Sequence, residues 1–229
     1  MMTHRRRERA LAVLLTGLAG YVDALGFMKL GGYFIAFMSG NTTRLGAGLV
    51  QGIATAVIPA VVIALFVLGV VFGSLINHFV GRHRRTLVLA LVTVLLVLGG
   101  LWQMVGLGGG AVVCLALAMG VENTVFERNG EVSLGVTYMT GTLVKLGQRL
   151  TDLITGRDRW AWLWYLLLWA GLLCGTILGS AAYLQFGLAS LWWAAATAAV
   201  LTAVVARWVQ APTPAAMRAG ARYAQTVDN

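Results

Sequence analysis

The chain is predicted to be an all-α polytopic membrane protein: six transmembrane helices plus two short re-entrant or half-depth helical segments, built as an inverted internal repeat. Three observations predict it. Hydrophobic residues make up 59% of the 229 positions and charged residues only 11%, with a mean hydropathy of +0.81, whereas a soluble domain carries about 25% charged residues. Several apolar runs reach the roughly 20 residues that a helix needs to cross a bilayer. Finally, a polar motif occurs twice. Met38-Ser39-Gly40-Asn41-Thr42-Thr43-Arg44-Leu45-Gly46 reads against Met139-Thr140-Gly141-Thr142-Leu143-Val144-Lys145-Leu146-Gly147, with four identities.

The spans are expected at about 10–28, 54–79, 86–106, 110–126, 160–184 and 189–209, each an apolar run of helical length. One copy of the motif falls between the first and second spans and the other between the fourth and fifth. Each copy opens on Ser/Thr-Gly before helix-compatible residues, so Ser39 and Thr140 are the expected N-caps. The echo extends outward. Gly20-Tyr21-Val22-Asp23 lies opposite Gly120-Val121-Glu122-Asn123, and Gly69, Gly73 and Ser74 lie opposite Gly171, Gly175 and Thr176, the offset drifting only from 100 to 102. This divides the chain into a first repeat (1–109), a second repeat (110–210) and a cytoplasmic tail (211–229).

Charge sets the orientation. If the motif segments do not cross and the N-terminus is cytoplasmic, the cluster Arg5, Arg6, Arg7 and Arg9 lies inside. So do Arg82, Arg84, Arg85, Arg128, Arg149, Arg157, Arg159, Arg207, Arg218 and Arg222, while the outer side keeps only Lys29 and Arg44. That matches the positive-inside rule. An eight-span alternative would turn the Arg82/Arg84/Arg85 cluster outward. Three crossings per half then force the second half upside down relative to the first, the inverted repeat of many transporters and channels. The expected location is the bacterial inner (plasma) membrane with both termini cytoplasmic and the first span retained. Trp160, Trp162 and Trp208 fall near the inner interface and Trp102, Trp192 and Trp193 near the outer, as aromatic anchors do.

The net charge of +9 does not point to nucleic acid, because the basic residues sit at the ends of apolar runs and form no stripe with interleaved aromatics. Cys114 and Cys174 fall inside spans and read as buried thiols. His4, His78 and His83 form no paired ligand or triad pattern. No cofactor, metal or enzymatic activity is expected.

Candidate function rests on the few polar residues in the spans. Asp23 and Glu122 are the acidic residues deep within them, and a carboxylate in hydrocarbon is costly unless it faces the bundle interior. Asn123 is the counterpart of Asp23 in the second half. The Ser39-Gly40-Asn41-Thr42 and Thr140-Gly141-Thr142 turns interrupt helices, leaving backbone groups tolerated in a membrane only where buried or lining a wet cavity. Two helix N-termini directed at the midplane would make a polar, partly positive centre. Arg44 and Lys145, one turn further on, either attract an anion or neutralise Asp23 and Glu122. Gly69/Gly73 and Gly171/Gly175/Gly179 repeat at i, i+4 and form smooth faces for close helix packing.

The run from Gly20-Tyr21-Val22-Asp23-Ala24 through Phe37-Met38-Ser39-Gly40-Asn41-Thr42, followed by Met139-Thr140-Gly141-Thr142, resembles the YoaK-like family of bacterial multi-pass membrane proteins. The likeness covers nearly the whole chain. Ser39 stands where the family is expected to have Thr as often. The resemblance implies a fold of about six spans and a membrane location, and it supplies no substrate.

The reading that follows is a transporter or channel for a small solute or ion, with the lipid bilayer and the solute as partners and a second copy of the chain left open. It predicts that Asp23, Asn41, Glu122 and Thr142 converge on one cavity near the midplane. The alternative is a non-transporting scaffold or partner subunit, its glycine faces binding another protein.

Overall fold

The computed structural model describes residues 2–81, 83–128, 131–132 and 136–210. Arg82, Arg218 and Arg222 and the expected cytoplasmic tail lie outside these. Among the described residues the regular elements are helices, apart from one two-residue strand pair. In order they form α1 (Met2–Lys29), α2 (Met38–Gln51), α3 (Ile53–Phe79), α4 (Arg84–Met104) and α5 (Gly108–Glu122), then β1 (Glu127–Arg128) paired antiparallel with β2 (Glu131–Val132). There follow α6 (Met139–Ile154), α7 (Ala161–Phe186), a 3₁₀ turn (Gly187–Ser190) and α8 (Leu191–Gln210).

Four stretches are long and apolar enough to cross a bilayer: Arg6–Lys29, Ile53–Phe79, Arg84–Met104 and Ala161–Val209, the last holding α7 and α8 with the turn at Gly187 between them. The helices α2 and α6 have 14 and 16 residues. At a 1.5 Å rise they span about 21 and 24 Å, short of the roughly 30 Å hydrocarbon thickness.

The fourth expected span ends earlier than its apolar run, at Glu122 rather than at 126. The cause is local. Asn123 Nδ2 donates to the Met119 carbonyl and Thr124 Oγ1 to the Val121 carbonyl. Side chains that bond nearby backbone compete with the helix ladder. Thr124 N, Val125 N and Glu127 N then bond carbonyls three residues back, so the chain coils tightly to Glu127. The first span closes differently. Gly32 N reaches the Phe27 carbonyl at 2.8 Å, the 6→1 bond of a Schellman ending. Gly31 and Gly32 take φ of 65° and 107°, a region glycine enters without steric cost.

Packing crosses between the first and second halves of the chain. α1 lies against α7, and its counterpart α5 lies against α3. Both crossings are closed by glycine against backbone. A Cβ on Gly20 would run into the Leu172 carbonyl, and one on Gly120 into the Phe66 carbonyl and Val70 N. Gly175 meets the Gly17 backbone, and Gly69 the Leu117 carbonyl. The glycine faces are therefore consumed inside the molecule. α4 and α8 pair with each other, with Thr93 and Thr202 hydroxyls 3.1 Å apart.

The ends are tied by charge and aromatic contacts. Arg85 at the start of α4 bonds Glu8 near the start of α1 at 2.9 Å and lies over the ring of Phe126, just past α5. Arg7 lies over Trp208 near the end of α8, and Arg9 over Trp164 near the start of α7. So α1 starts where α5 ends. At the far end Lys29 approaches Gly108 at the start of α5. Trp102, Trp160, Trp192 and Trp193 are exposed, as anchors would be. Cys114 is buried as expected, but Cys174 is exposed on the outer surface of α7; both are free thiols.

Candidate functional site

Asp23 sits in the last third of α1 and turns toward the segment that enters α2. Its Oδ1 accepts Ile35 N at 2.6 Å and Ala36 N at 2.7 Å. Asn41 is fully buried and holds the same segment from the other side: Phe34 N donates to Asn41 Oδ1 at 3.0 Å and Asn41 Nδ2 donates to the Phe34 carbonyl at 2.6 Å. These bonds satisfy an interrupted backbone that hydrocarbon would otherwise penalise. The second repeat repeats the device with weaker partners. Asn123 Oδ1 accepts Thr137 N at 3.3 Å and Thr137 Oγ1 at 3.1 Å. Thr142, opposite Asn41, donates only to the Tyr138 carbonyl, one turn back.

The two segments meet at one cavity of about 470 Å³. Its wall contains Ala36, Phe37, Met38 and Ser39 from the start of α2, and Thr137, Tyr138, Met139 and Thr140 from the start of α6. Asn123 and Phe66 complete it. Both half-length helices thus begin at the cavity, each with first-turn N–H groups that have no intrahelical partner. The wall is aromatic and thioether in bulk, with hydroxyls and one amide as polar groups and no charged side chain among the described residues.

This differs from the expected convergence of Asp23, Asn41, Glu122 and Thr142. None of the four lines the cavity; Ser39, Asn123 and Thr140 do. Asp23 and Asn41 spend their polar atoms on the backbone behind the wall. Glu122 is fully buried, and neither carboxylate oxygen has a hydrogen-bond partner. Ser39 and Thr140 are not N-caps either. Phe37 and Tyr138 hold those positions without a side-chain bond, which places Ser39 and Thr140 inside the first turn and exposed. Gly40 and Gly141 lie under the rings of Phe37 and Tyr138, where a Cβ would collide with them. Thr42 is exposed and bonds the Met38 carbonyl.

Arg44 lies over the rings of Tyr33 and Phe34 at 5.2 and 5.9 Å. Among the described residues no ion pair joins Arg44 or Lys145 to Asp23 or Glu122. No group of three or more His, Cys, Asp or Glu residues able to hold a metal occurs among them. Sequence reasoning missed the aromatic wall (Phe37, Phe66, Tyr138). The mirrored Phe37/Tyr138 pair, just before each motif, was a usable signal.

The family described as a protein of unknown function (DUF1275) matches residues 11–204, which include both motif copies and the cavity wall. The chain belongs to the DUF1275 family. It is similar to the UPF0700 transmembrane protein RA0705 of Rhizobium meliloti (strain 1021), at 33% identity over 213 residues covering 88% of this chain and 92% of that protein. It is also similar to the UPF0700 transmembrane protein YoaK of Bacillus subtilis (strain 168), at 28% identity over 156 residues, 63% of this chain and 68% of that one. No solved structure matches it. Membership and the apolar helices together make this DUF1275 chain an all-helical membrane protein.

Proposed function

We propose that this DUF1275 protein is a transporter or channel that moves a small solute or ion through the cavity between its two repeats. The observation that carries the reading is that two half-length helices, α2 and α6, begin at one cavity. Discontinuous helices whose N-termini face a shared central space are how inverted-repeat transporters build a substrate site. In this reading α1, α3, α4, α7 and α8 cross the membrane, α5 crosses together with the tight coil that continues it to Glu127, and α2 and α6 enter it part-way. Having α1 start where α5 ends supports an inverted arrangement, and the arginine distribution supports cytoplasmic termini in the bacterial inner membrane. The scaffold alternative loses ground because the glycine faces are already occupied by α1, α3, α5 and α7.

The test uses purified protein in liposomes, with stopped-flow swelling in iso-osmotic panels of small neutral solutes and salts. Flux of at least one solute is expected, and Ser39→Trp, which fills the cavity, should abolish it. Parallel cells expressing Ser39→Cys or Thr140→Cys, in a background without Cys114 and Cys174, should label with a small membrane-impermeant thiol reagent. No flux across the panel together with unreactive thiols at both positions would overturn the reading.

A further inference from the structure

The cavity wall carries two kinds of group, and together they specify a ligand. The first kind is flat and soft: the rings of Phe37, Phe66 and Tyr138 with the thioethers of Met38 and Met139. Two of the rings are mounted from behind. A Cβ on Gly40 would strike the Phe37 ring, and one on Gly141 the Tyr138 ring, so each lies on the glycine of the helix it precedes. Phe34 also braces Phe37 edge-on, with ring centroids 5.1 Å apart. Aromatic faces favour offset or edge-on packing against another flat ring, and thioethers adapt to its outline.

The second kind is hydroxyl. Thr42, Thr43 and Thr142 each donate to the carbonyl four residues back. Ser39 and Thr140 stand too near the helix starts to have such a helical carbonyl. Their hydroxyls, and that of Tyr138, bond nothing among the described residues. The amide of the wall, Asn123, is already committed to Thr137 and Met119. Size and charge narrow the class further. About 470 Å³ lies in the range that takes a small organic molecule. An ion leaving water needs a partner charge to offset its desolvation, and the described wall has none. Asp23 Oδ1 is spent on Ile35 N and Ala36 N, and Arg44 lies over Tyr33 and Phe34.

We propose that the cavity binds a small uncharged solute with a flat aromatic body and a polar group such as a primary amide. The rings of Phe37, Phe66 and Tyr138 pack against the body, and the hydroxyls of Ser39 and Thr140 hydrogen-bond the polar group. A hydroxyl donates and accepts, so the pair suits an amide, which offers both a carbonyl oxygen and N–H groups. The assignment names the substrate class of the transport reading and rests on that reading's cavity; binding itself does not require flux.

The experiment is thermal unfolding of the full chain in detergent at neutral pH and constant ionic strength, titrated with benzamide, benzoate and benzylamine. The three probes share one ring and are neutral, anionic and cationic. A saturable rise in unfolding temperature is expected for benzamide, at a concentration about tenfold lower than for either ion. Ser39→Ala and Thr140→Ala should fold as the parent does, because their hydroxyls bond nothing in it, and should each weaken benzamide by about three- to tenfold. Ser39→Trp should abolish the response. Benzoate or benzylamine binding as tightly as benzamide, no response to any probe, or a benzamide response unchanged in Ser39→Trp or in both alanine variants would overturn the assignment. Solute flux in liposomes without a benzamide response removes this ligand class and leaves the transport reading. A benzamide response that depends on Ser39, without flux, does the reverse.

Discussion

Asp23 and Asn123, aligned in the sequence echo, both hold the segment that enters the next helix. Asp23 Oδ1 takes the N–H groups of Ile35 and Ala36, and Asn123 Oδ1 takes the N–H and hydroxyl of Thr137. Each ties the end of α1 or α5 to the segment that enters α2 or α6, and Ala36 and Thr137 both border the cavity. The geometry of Asp23 is that of a backbone clamp.

Replacing Asp23 with Ala should therefore be a stability defect. It orphans two N–H groups, each worth about 1–3 kcal/mol when buried without a partner. Asp23→Asn keeps an acceptor oxygen and should lose less. Unfolding temperatures of the two variants in detergent check the order, and equal loss in both would contradict the clamp.

Glu122 should behave in the opposite sense. Its two oxygens are buried without partners, so Glu122→Met, which fills similar space without polar atoms, should stabilise the fold by roughly 1–3 kcal/mol. A lower unfolding temperature would mean the carboxyl has a bonding role. Stabilisation with loss of flux would mark a residue kept for activity at the expense of stability.

The two helix crossings should fail alike. Gly20→Ala and Gly120→Ala each drive a methyl into a backbone carbonyl of the opposite repeat, an overpacking that costs about 1–3 kcal/mol. Monodisperse yield after heating should fall comparably for both. A harmless Gly120→Ala beside a damaging Gly20→Ala would show that the crossings are not equivalent.

The start of α7 should loosen in acid. Asp158 Oδ1 accepts Trp160 N and Ala161 N, which lowers its pKa below the ordinary 3.8. A carboxylate depressed in the folded state contributes stability that is fully present above its unfolded pKa and lost as pH falls through the folded one. Protection of the Trp160 and Ala161 amides, corrected for intrinsic exchange, should persist at pH 5 and fade below about 3.8. Asp158→Asn should flatten that change.

The helix faces were legible because close packing demands glycine at fixed spacing, and Gly69 and Gly175 carry that demand in one-letter code. The motif copies also pointed to the cavity, through Ser39, Thr140 and Asn123. The remainder was hidden for identifiable reasons. Asp23 looks the same in sequence whether it faces an ion or two amides. Phe37 and Tyr138 took the cap positions because the entry segments are anchored by Asp23, Asn41 and Asn123, leaving no need for a hydroxyl cap. Glu127 meets Ser74 and Asn77 about fifty residues away, a pairing set by how α5 crosses α3 and by no local pattern.

The reciprocal packing also governs how the chain is made. α1 finds its glycine-lined seat on α7, which begins 132 residues after Lys29, from 161 − 29. At about 5–20 residues per second, the first helix waits on the order of ten seconds before the ribosome delivers its partner. Throughout that interval Asp23 can already hold Ile35 and Ala36, so the polar atoms of the young helix hairpin are sheltered locally. Docking then has only the smooth face of Gly17 and Gly20 to complete, and half a chain released early would carry that face bare.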